Sequence, residues 1–509
     1  MTCFRQALPA RWPVVLLTTA LLILFGRFGP SPFCVRAQEA APVAPVAPAE
    51  QTDAAALPIF TNPRERLAWR NVDESHLARL IDGVPVDDNE TETLMLLMYH
   101  YYRFPMTDVE RWAQPAFDPA EVGRQADASR GLIYRLSGRI TRAELLEPLP
   151  ELVERFELSQ YYRCELMLEG MSPDGTEQPA VIFAHDIPLA WQEGGELDGR
   201  VGVLGMFAKF SSLDDDKEHA KPVFVARRIA QYPETYLGDL GMDYGLLDRV
   251  EYRKPLSDND REAFYQMLAL TGRTKPGQLF GEAQRRLKST DKELKRIDAA
   301  GNEHYPVVPL FNDAENQSGR LFVLEGTARR IVRIRVEDPD VQERFGIDHY
   351  YNLFVFTDDS QSNPIVFCVR ELPEGMPVGD GLNFGEHVRV AGFFFKTWAY
   401  RVERTKDSTV PAAAGAKSRQ LAPLLIGREP VWYPAEPIPT STMAGAIAAG
   451  LFVVAMAGIW FALWRYGRGD REFRKQTIAR AIAPESGVSL DEIVEAGEEP
   501  RDRFDSIEL

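Results

Sequence analysis

The chain has 509 residues, 45% hydrophobic and 26% charged, which is too long for one core and implies two or three globular domains. Four cysteines exclude a disulfide framework. A formal net charge of −17 repels phosphate backbones and argues against nucleic acid as a partner.

Charge and hydropathy set an expected topology. Residues 1–37 hold four arginines and no acid, and Arg5 and Arg11 precede an apolar run over 13–25 that is too short for a comfortable membrane span. With the breaker-rich stretch ending in Val35-Arg36-Ala37, this predicts a secretory signal peptide over 1–37, an uncleaved anchor being the alternative. Residues 38–60 form an Ala/Pro-rich linker that cannot build a core.

From residue 61 the chain reads as a tandem duplication of a helical piece followed by a β-rich piece. The first helical piece, 61–130, has Leu94, Leu97, Met98, Tyr101 and Tyr102 on one helix face, after Asp88-Asn89 as capping residues. The second, 234–318, repeats this with Asp258-Asn259 ahead of Phe264, Met267 and Leu268, so that Pro85 matches Pro255 and Glu92 matches Glu262. It also carries an inserted, strongly charged long helix over 277–301, with Phe280, Ala283, Leu287, Leu294 and Ile297 near heptad spacing.

The β-rich pieces, 131–233 and 319–433, each predict five strands. The first strands align on Gly138 and Gly326, the second on Tyr161-Tyr162 and Tyr350-Tyr351. Third strands over 178–188 and 363–373 and fifth strands over 222–229 and 423–430 also correspond. The fourth strands are the most alike: Val201, Val203, Gly205, Phe207 and Lys209 return as Val388, Val390, Gly392, Phe394 and Lys396. A period of two marks one specified face of a strand, here expected to face the interior, with Lys209 and Lys396 reaching outward near the strand end. In strand order and pattern each piece resembles an OB-like small barrel, whose glycines would sit where strands bend to close it. An SH3-like barrel or an open sheet on a helix is the alternative.

A spacer over 434–442 precedes 443–464, which is uncharged, long enough to cross a bilayer and followed by Arg465, Arg468, Arg471, Arg474 and Lys475. Basic residues flank the cytoplasmic side of a span, so 465–509 is expected as a cytoplasmic tail and the body as extracytoplasmic, periplasmic or lumenal. Ala444, Gly445, Ala448, Ala449 and Gly450 form a small-residue face that would pack a homodimer through the membrane helix.

Chemistry is sparse. Elbow, phosphate-loop, dinucleotide, zincin, CxxC and EF-hand patterns are absent from the sequence, so no catalytic, cofactor or metal residue is assigned. Ser289-Thr290-Asp291-Lys292 fits SxxK by chance, and Asp214-Asp215-Asp216 with His219 reads as a solvated turn. His100, His185, His349 and His387 are scattered, and Cys164 and Cys368 read as buried free thiols. The candidate ligand face is aromatic: Tyr161, Tyr162 and Phe183 in the first barrel, with Tyr350, Tyr351, Phe354 and Phe367 in the second. The expectation is therefore an α+β, membrane-anchored binding or scaffold protein without enzymatic activity. Its partners would be the bilayer and another envelope protein, and not nucleic acid. An enzyme or enzyme subunit with a site between the two modules is the alternative, and a nucleic-acid-binding OB protein the third.

Overall fold

Two short helices, Pro63–Trp69 and Glu74–Leu77, lead to α1 (Asp88–Tyr102), which starts where the Asp87 carboxylate accepts from the Glu90 amide. The structure, a computed structural model, describes residues 60–170, 177–212, 220–290, 295–297, 303–381, 384–401, 419–434 and 442–481. The expected signal peptide, nearly all of the linker and spacer, residues 213–219 with the Asp/His turn, and the tail past 481 lie outside the described residues. The cap is one residue earlier than expected, so Asp88 and Asn89 lie in the first turn, and Tyr102 leaves the buried face on which Leu94, Leu97, Met98 and Tyr101 sit.

The first half continues through α2 (Met106–Trp112), β1 (Ile133–Leu146), α3 (Pro150–Phe156), β2 (Tyr161–Leu168), β3 (Gln178–Asp186), β4 (Gly195–Ser211) and β5 (Lys221–Gln231). The strands pair in the order β1-β2-β3-β5-β4, β4 returns to β1, and β3 with β5 is the one parallel pairing in this ring. The second half runs α4 (Asp258–Arg273), α5 (Gln278–Ser289), a two-residue hairpin of β6 (Arg296–Ile297) and β7 (Glu303–His304), then β8 (Leu321–Arg335), α6 (Pro339–Phe345), β9 (His349–Phe356), β10 (Ile365–Val369), β11 (Gly379–Asp380), β12 (Glu386–Arg401) and β13 (Arg419–Tyr433). Here β8-β12-β13-β10-β9 pair in sequence, β9 returns to β8, β10 with β13 is parallel, and β11 adds to β8. Element content is thus mixed helix and sheet. The expected long helix is shorter: α5 ends at Ser289, burying Leu279, Ala283 and Leu287, while Ile297 is exposed on β6.

Both rings are bent by the same devices. A Cβ at Gly138 would sit 2.1 Å from the Met167 carbonyl oxygen, and one at Gly326 would sit 2.3 Å from that of Phe356, so only glycine lets the neighbouring strand approach. Register shifts follow two residues on, at Ile140/Arg142 and Ala328/Arg330. The fourth strands shift register at Val203/Gly205 and Phe207/Lys209 in one ring and at Val390/Gly392 and Phe394/Lys396 in the other. The alternating residues Val201, Val203, Phe207, Val388, Val390 and Phe394 are buried.

The lysines do not reach outward. Lys209 and Lys396 are fully buried: each follows a register shift in its strand, and the first turn of a helix covers it with a carboxylate. Lys209 Nζ donates to both carboxylate oxygens of Glu90, at 2.7 and 2.6 Å, and Lys396 Nζ to those of Asp260, at 3.0 and 2.9 Å. Each acid stands in the first turn of its helix and also accepts a backbone N–H nine residues upstream, from Ile81 and from Glu251. The helices thereby lie pinned against strands of their rings, α1 along β5 and β3 and α4 along β13 and β10.

The halves meet through charge. Arg344 of α6, with 4% of its side chain exposed, donates to Glu110 of α2 at 3.0 Å, to Glu262 of α4, and to Asp340 at 3.4 Å. Although burial works against its charge, Glu262 and Glu110 hold its pKa raised. Arg111 pairs with Glu343, and Thr107 donates to Asp340.

Beyond β13 runs α7 (Thr442–Ala481), in which Ala446–Tyr466 is long and apolar enough to cross a membrane, with a mean hydropathy of 2.3. Ala444 and Gly445 lie in its first turn, and Ala448, Ala449 and Gly450 are exposed.

Removing one partner of a buried ion pair strands a charge at about 3–5 kcal/mol, whereas replacing both by apolar groups of similar volume is often neutral. Glu90→Ala should therefore lower thermal stability sharply, and Glu90→Leu with Lys209→Met should recover most of it. Equal losses for the single and double variants would show that the pair is not what holds α1. Cys164 and Cys368 are buried and free, and burial pushes the Cys164 thiol from 9.0 up to about 12. A raised thiol pKa gives stability that is complete below pH 9 and lost as the pH rises towards 12. Native full-length protein at pH 8 should leave both thiols unmodified by a maleimide, as read by peptide mapping, and modification should appear as alkaline unfolding sets in. Labelling of either at pH 8 would contradict the burial.

Candidate ligand groove

The rings depart from one another where β12 outruns its counterpart. With Lys209 aligned to Lys396, β4 ends at Ser211, opposite Trp398, whereas β12 continues through Tyr400 to Arg401, paired with β13. This arm walls a groove of about 570 Å³ with Pro255 and Leu256 ahead of α4, Arg330, Val332 and Ile334 of β8, and Asn352 and Phe354 of β9.

Its rings form a cluster. Trp398 and Tyr400 lie 5.3 Å apart between centroids, Tyr400 and Phe354 meet edge-on at 6.1 Å, and the Arg330 guanidinium covers Phe354 at 5.4 Å. Phe354, Trp398 and Tyr400 are half-buried, each with surface left to a ligand. The polar lining is mostly donors. Among the described residues the Arg330 guanidinium has Asp380 as its acid, at 3.9 Å, and the Trp398 indole N–H has no hydrogen bond. The Asn352 carbonyl oxygen is taken by the Cys368 thiol at 3.1 Å, and Tyr400 donates to Gln420 at 2.9 Å. No carboxylate lines the groove among the described residues.

Among the described residues the first ring has no such surface. Asn352 and Phe354 align with Arg163 and Glu165, which pair at 3.0 Å, and Arg163 also reaches Glu144, the residue aligned with Val332. Charged side chains bonded to one another cover that face.

Of the seven aromatic residues read from sequence as a ligand face, Phe354 lines the groove. Tyr161, Tyr162, Phe183, Tyr350 and Phe367 are buried, and Tyr351 is half-buried. Tyr161 packs near Phe183 at 6.1 Å and Tyr350 against Phe264 at 5.6 Å, and burial raises the pKa of both tyrosines. Sequence reasoning misses Arg330, Trp398 and Tyr400. The available signal is the continuation of the period-two pattern past Thr397 as Trp-Ala-Tyr, with no counterpart after Ser211.

Other features stand apart from the groove. A cavity of about 610 Å³ is lined by Arg333, Arg335, Gln342, Asp348 and His349, and one of about 390 Å³ by Arg64, Glu74 and Arg130 among others. Each of these three spaces is lined from one half of the chain. Among the described residues no group of three or more His, Cys, Asp or Glu could hold a metal ion. Ser289 donates to the Arg286 carbonyl at the end of α5, and His185 stacks on Tyr102 at 4.2 Å.

No family model matches the chain, and no curated protein matches it. Similar solved structures include the wild-type single-stranded DNA binding protein from Thermus aquaticus, at 10% identity over 61% of this chain and 98% of that one. A deletion mutant of that protein matches at 8% identity over 60% and 96%, and the TM-score is 0.14 in both cases. A TM-score this low assigns neither fold nor activity. The expectation that excluded nucleic acid is corrected on the ground it rested on: the net charge is not uniform, since Arg329, Arg330, Arg333 and Arg335 stand exposed along β8.

Proposed function

We propose that the chain is a single-pass membrane protein carrying two OB-like barrel modules, related by duplication, outside the cytoplasm, and that it binds a ligand through the groove of the second. Duplication is supported by the shared pairing order, the matched glycines and register shifts, and the two lysine–carboxylate pins. Anchorage is supported by Ala446–Tyr466 and the basic residues after it. One observation carries the binding reading: half-buried aromatic rings gather in the second module with the Trp398 indole N–H, which has no hydrogen bond among the described residues, where the first has an ion-paired face.

A second reading has its own support in the four exposed arginines of β8, which suit a polyanion such as single-stranded nucleic acid. The two readings separate on salt, because neutralised phosphates of a single strand contribute about −0.7 each to the slope of log affinity against log salt.

The test is a ligand panel of peptides, neutral and anionic glycans and oligothymidine, presented to full-length protein in detergent micelles and read by tryptophan fluorescence. At least one class should bind, with affinity cut about tenfold or more by Tyr400→Ala, equivalent to about 1.4 kcal/mol, and unchanged by Glu165→Ala on the first module. Binding that ignores Tyr400→Ala would remove the groove as the site. Protease added to spheroplasts or to sealed membrane vesicles that expose the extracytoplasmic face should digest the body and spare the tail, and the reverse pattern would refute the topology.

A further inference from the structure

Resting on the reading of the groove as a ligand site, we infer that its occupant is a proline-rich peptide in the polyproline II conformation, with prolines three residues apart. The basis is chemical complementarity. A polyproline II strand has three residues per turn and no internal hydrogen bonds, so it offers one face of pyrrolidine rings and a set of unpaired carbonyl acceptors. Proline supplies no N–H, so a ligand with proline at every third position brings about a third fewer backbone donors that would need acceptors. The groove has the matching half: the faces of Phe354, Trp398 and Tyr400, the Trp398 indole N–H, the Arg330 guanidinium and the Asn352 amide, and among the described residues no carboxylate. An ordinary extended peptide would bury N–H groups against this donor-rich lining, where each unsatisfied group costs about 1–3 kcal/mol.

The chain itself contains the pattern. Pro42, Pro45 and Pro48 in the run APVAPVAPAE recur every third residue, which places all three on one face of such a helix, and Glu50 supplies a carboxylate suited to Arg330. This run therefore specifies the class of ligand and supplies a probe.

The experiment measures fluorescence anisotropy of a labelled peptide of residues 41–50 against full-length protein in detergent micelles. The protein carries P42A, P45A and P48A so that its own tract does not compete. The peptide should bind, its all-alanine counterpart should bind at least tenfold more weakly, and Trp398→Ala or Tyr400→Ala should each cost tenfold or more. Glu165→Ala should leave affinity unchanged, and thermal melting checks that every variant is folded. Equal affinity for the proline and alanine peptides, or indifference to Tyr400→Ala, would overturn the inference. If the peptide fails while oligothymidine or a glycan binds and is lost on Tyr400→Ala, the inference is overturned and the groove remains a site with a different ligand. If nothing binds there, the groove reading fails as well.

Discussion

Two buried lysines organise the molecule. An ammonium group held away from water is tolerated only when paired and hydrogen-bonded, so Lys209 and Lys396 each oblige a carboxylate to be buried beside them. Glu90 and Asp260 meet that demand from the first turn of a helix, and each also ties down the loop that enters the helix. One charge pair thus fixes three things: the end of the fourth strand, the start of the packing helix and the path between them. Desolvation takes back much of the Coulombic gain in such pairs, so their contribution here is one of register more than of net stability. An apolar contact would let α1 slide along β5 by a turn, whereas a bidentate lysine–carboxylate contact at 2.6–2.7 Å does not.

With both frameworks fixed in the same way, the halves are free to differ on their outer faces. In the first, Arg163 and Glu165 satisfy one another and leave no unmet valence. In the second, the longer β12 arm brings Trp398 and Tyr400 over β9, where Phe354 and Asn352 replace that pair. The same backbone thereby presents an inert polar surface in one place and an aromatic, donor-lined groove in the other.

The strands are legible because their burial alternates, and the period survives in sequence even where the two halves share few residues. The lysines are misread for a physical reason. A strand end opens to solvent only where nothing packs over it, and the helix turn that covers each lysine comes from a segment far away in sequence, with Glu90 over Lys209 and Asp260 over Lys396. The matching Glu90 and Asp260 lie one residue past the Asp-Asn pairs read as caps and are open to the same reading. Helices α3 and α6 escape sequence reasoning because seven residues give a period of 3.6 too few turns to register. The groove escapes it because its walls come from β8, β9, β12 and the entry to α4, residues up to about 145 positions apart that no local pattern connects.

The joint between the halves uses the same economy of charge. Arg155 of α3 pairs with Glu92 of α1, as Arg344 of α6 pairs with Glu262 of α4. Only Arg344 has a third anchor, Glu110 from the opposite half, and it is nearly buried where Arg155 is exposed. The brace at Arg155 stays within its half, whereas the one at Arg344 also reaches across to the other through Glu110. Because that connection is ionic and not a greasy seam, its strength depends on keeping water from Arg344, which the packing of α2 against α6 accomplishes. The groove, built on β8 and β9 at either end of α6, is therefore attached to the very hairpin that carries the joint.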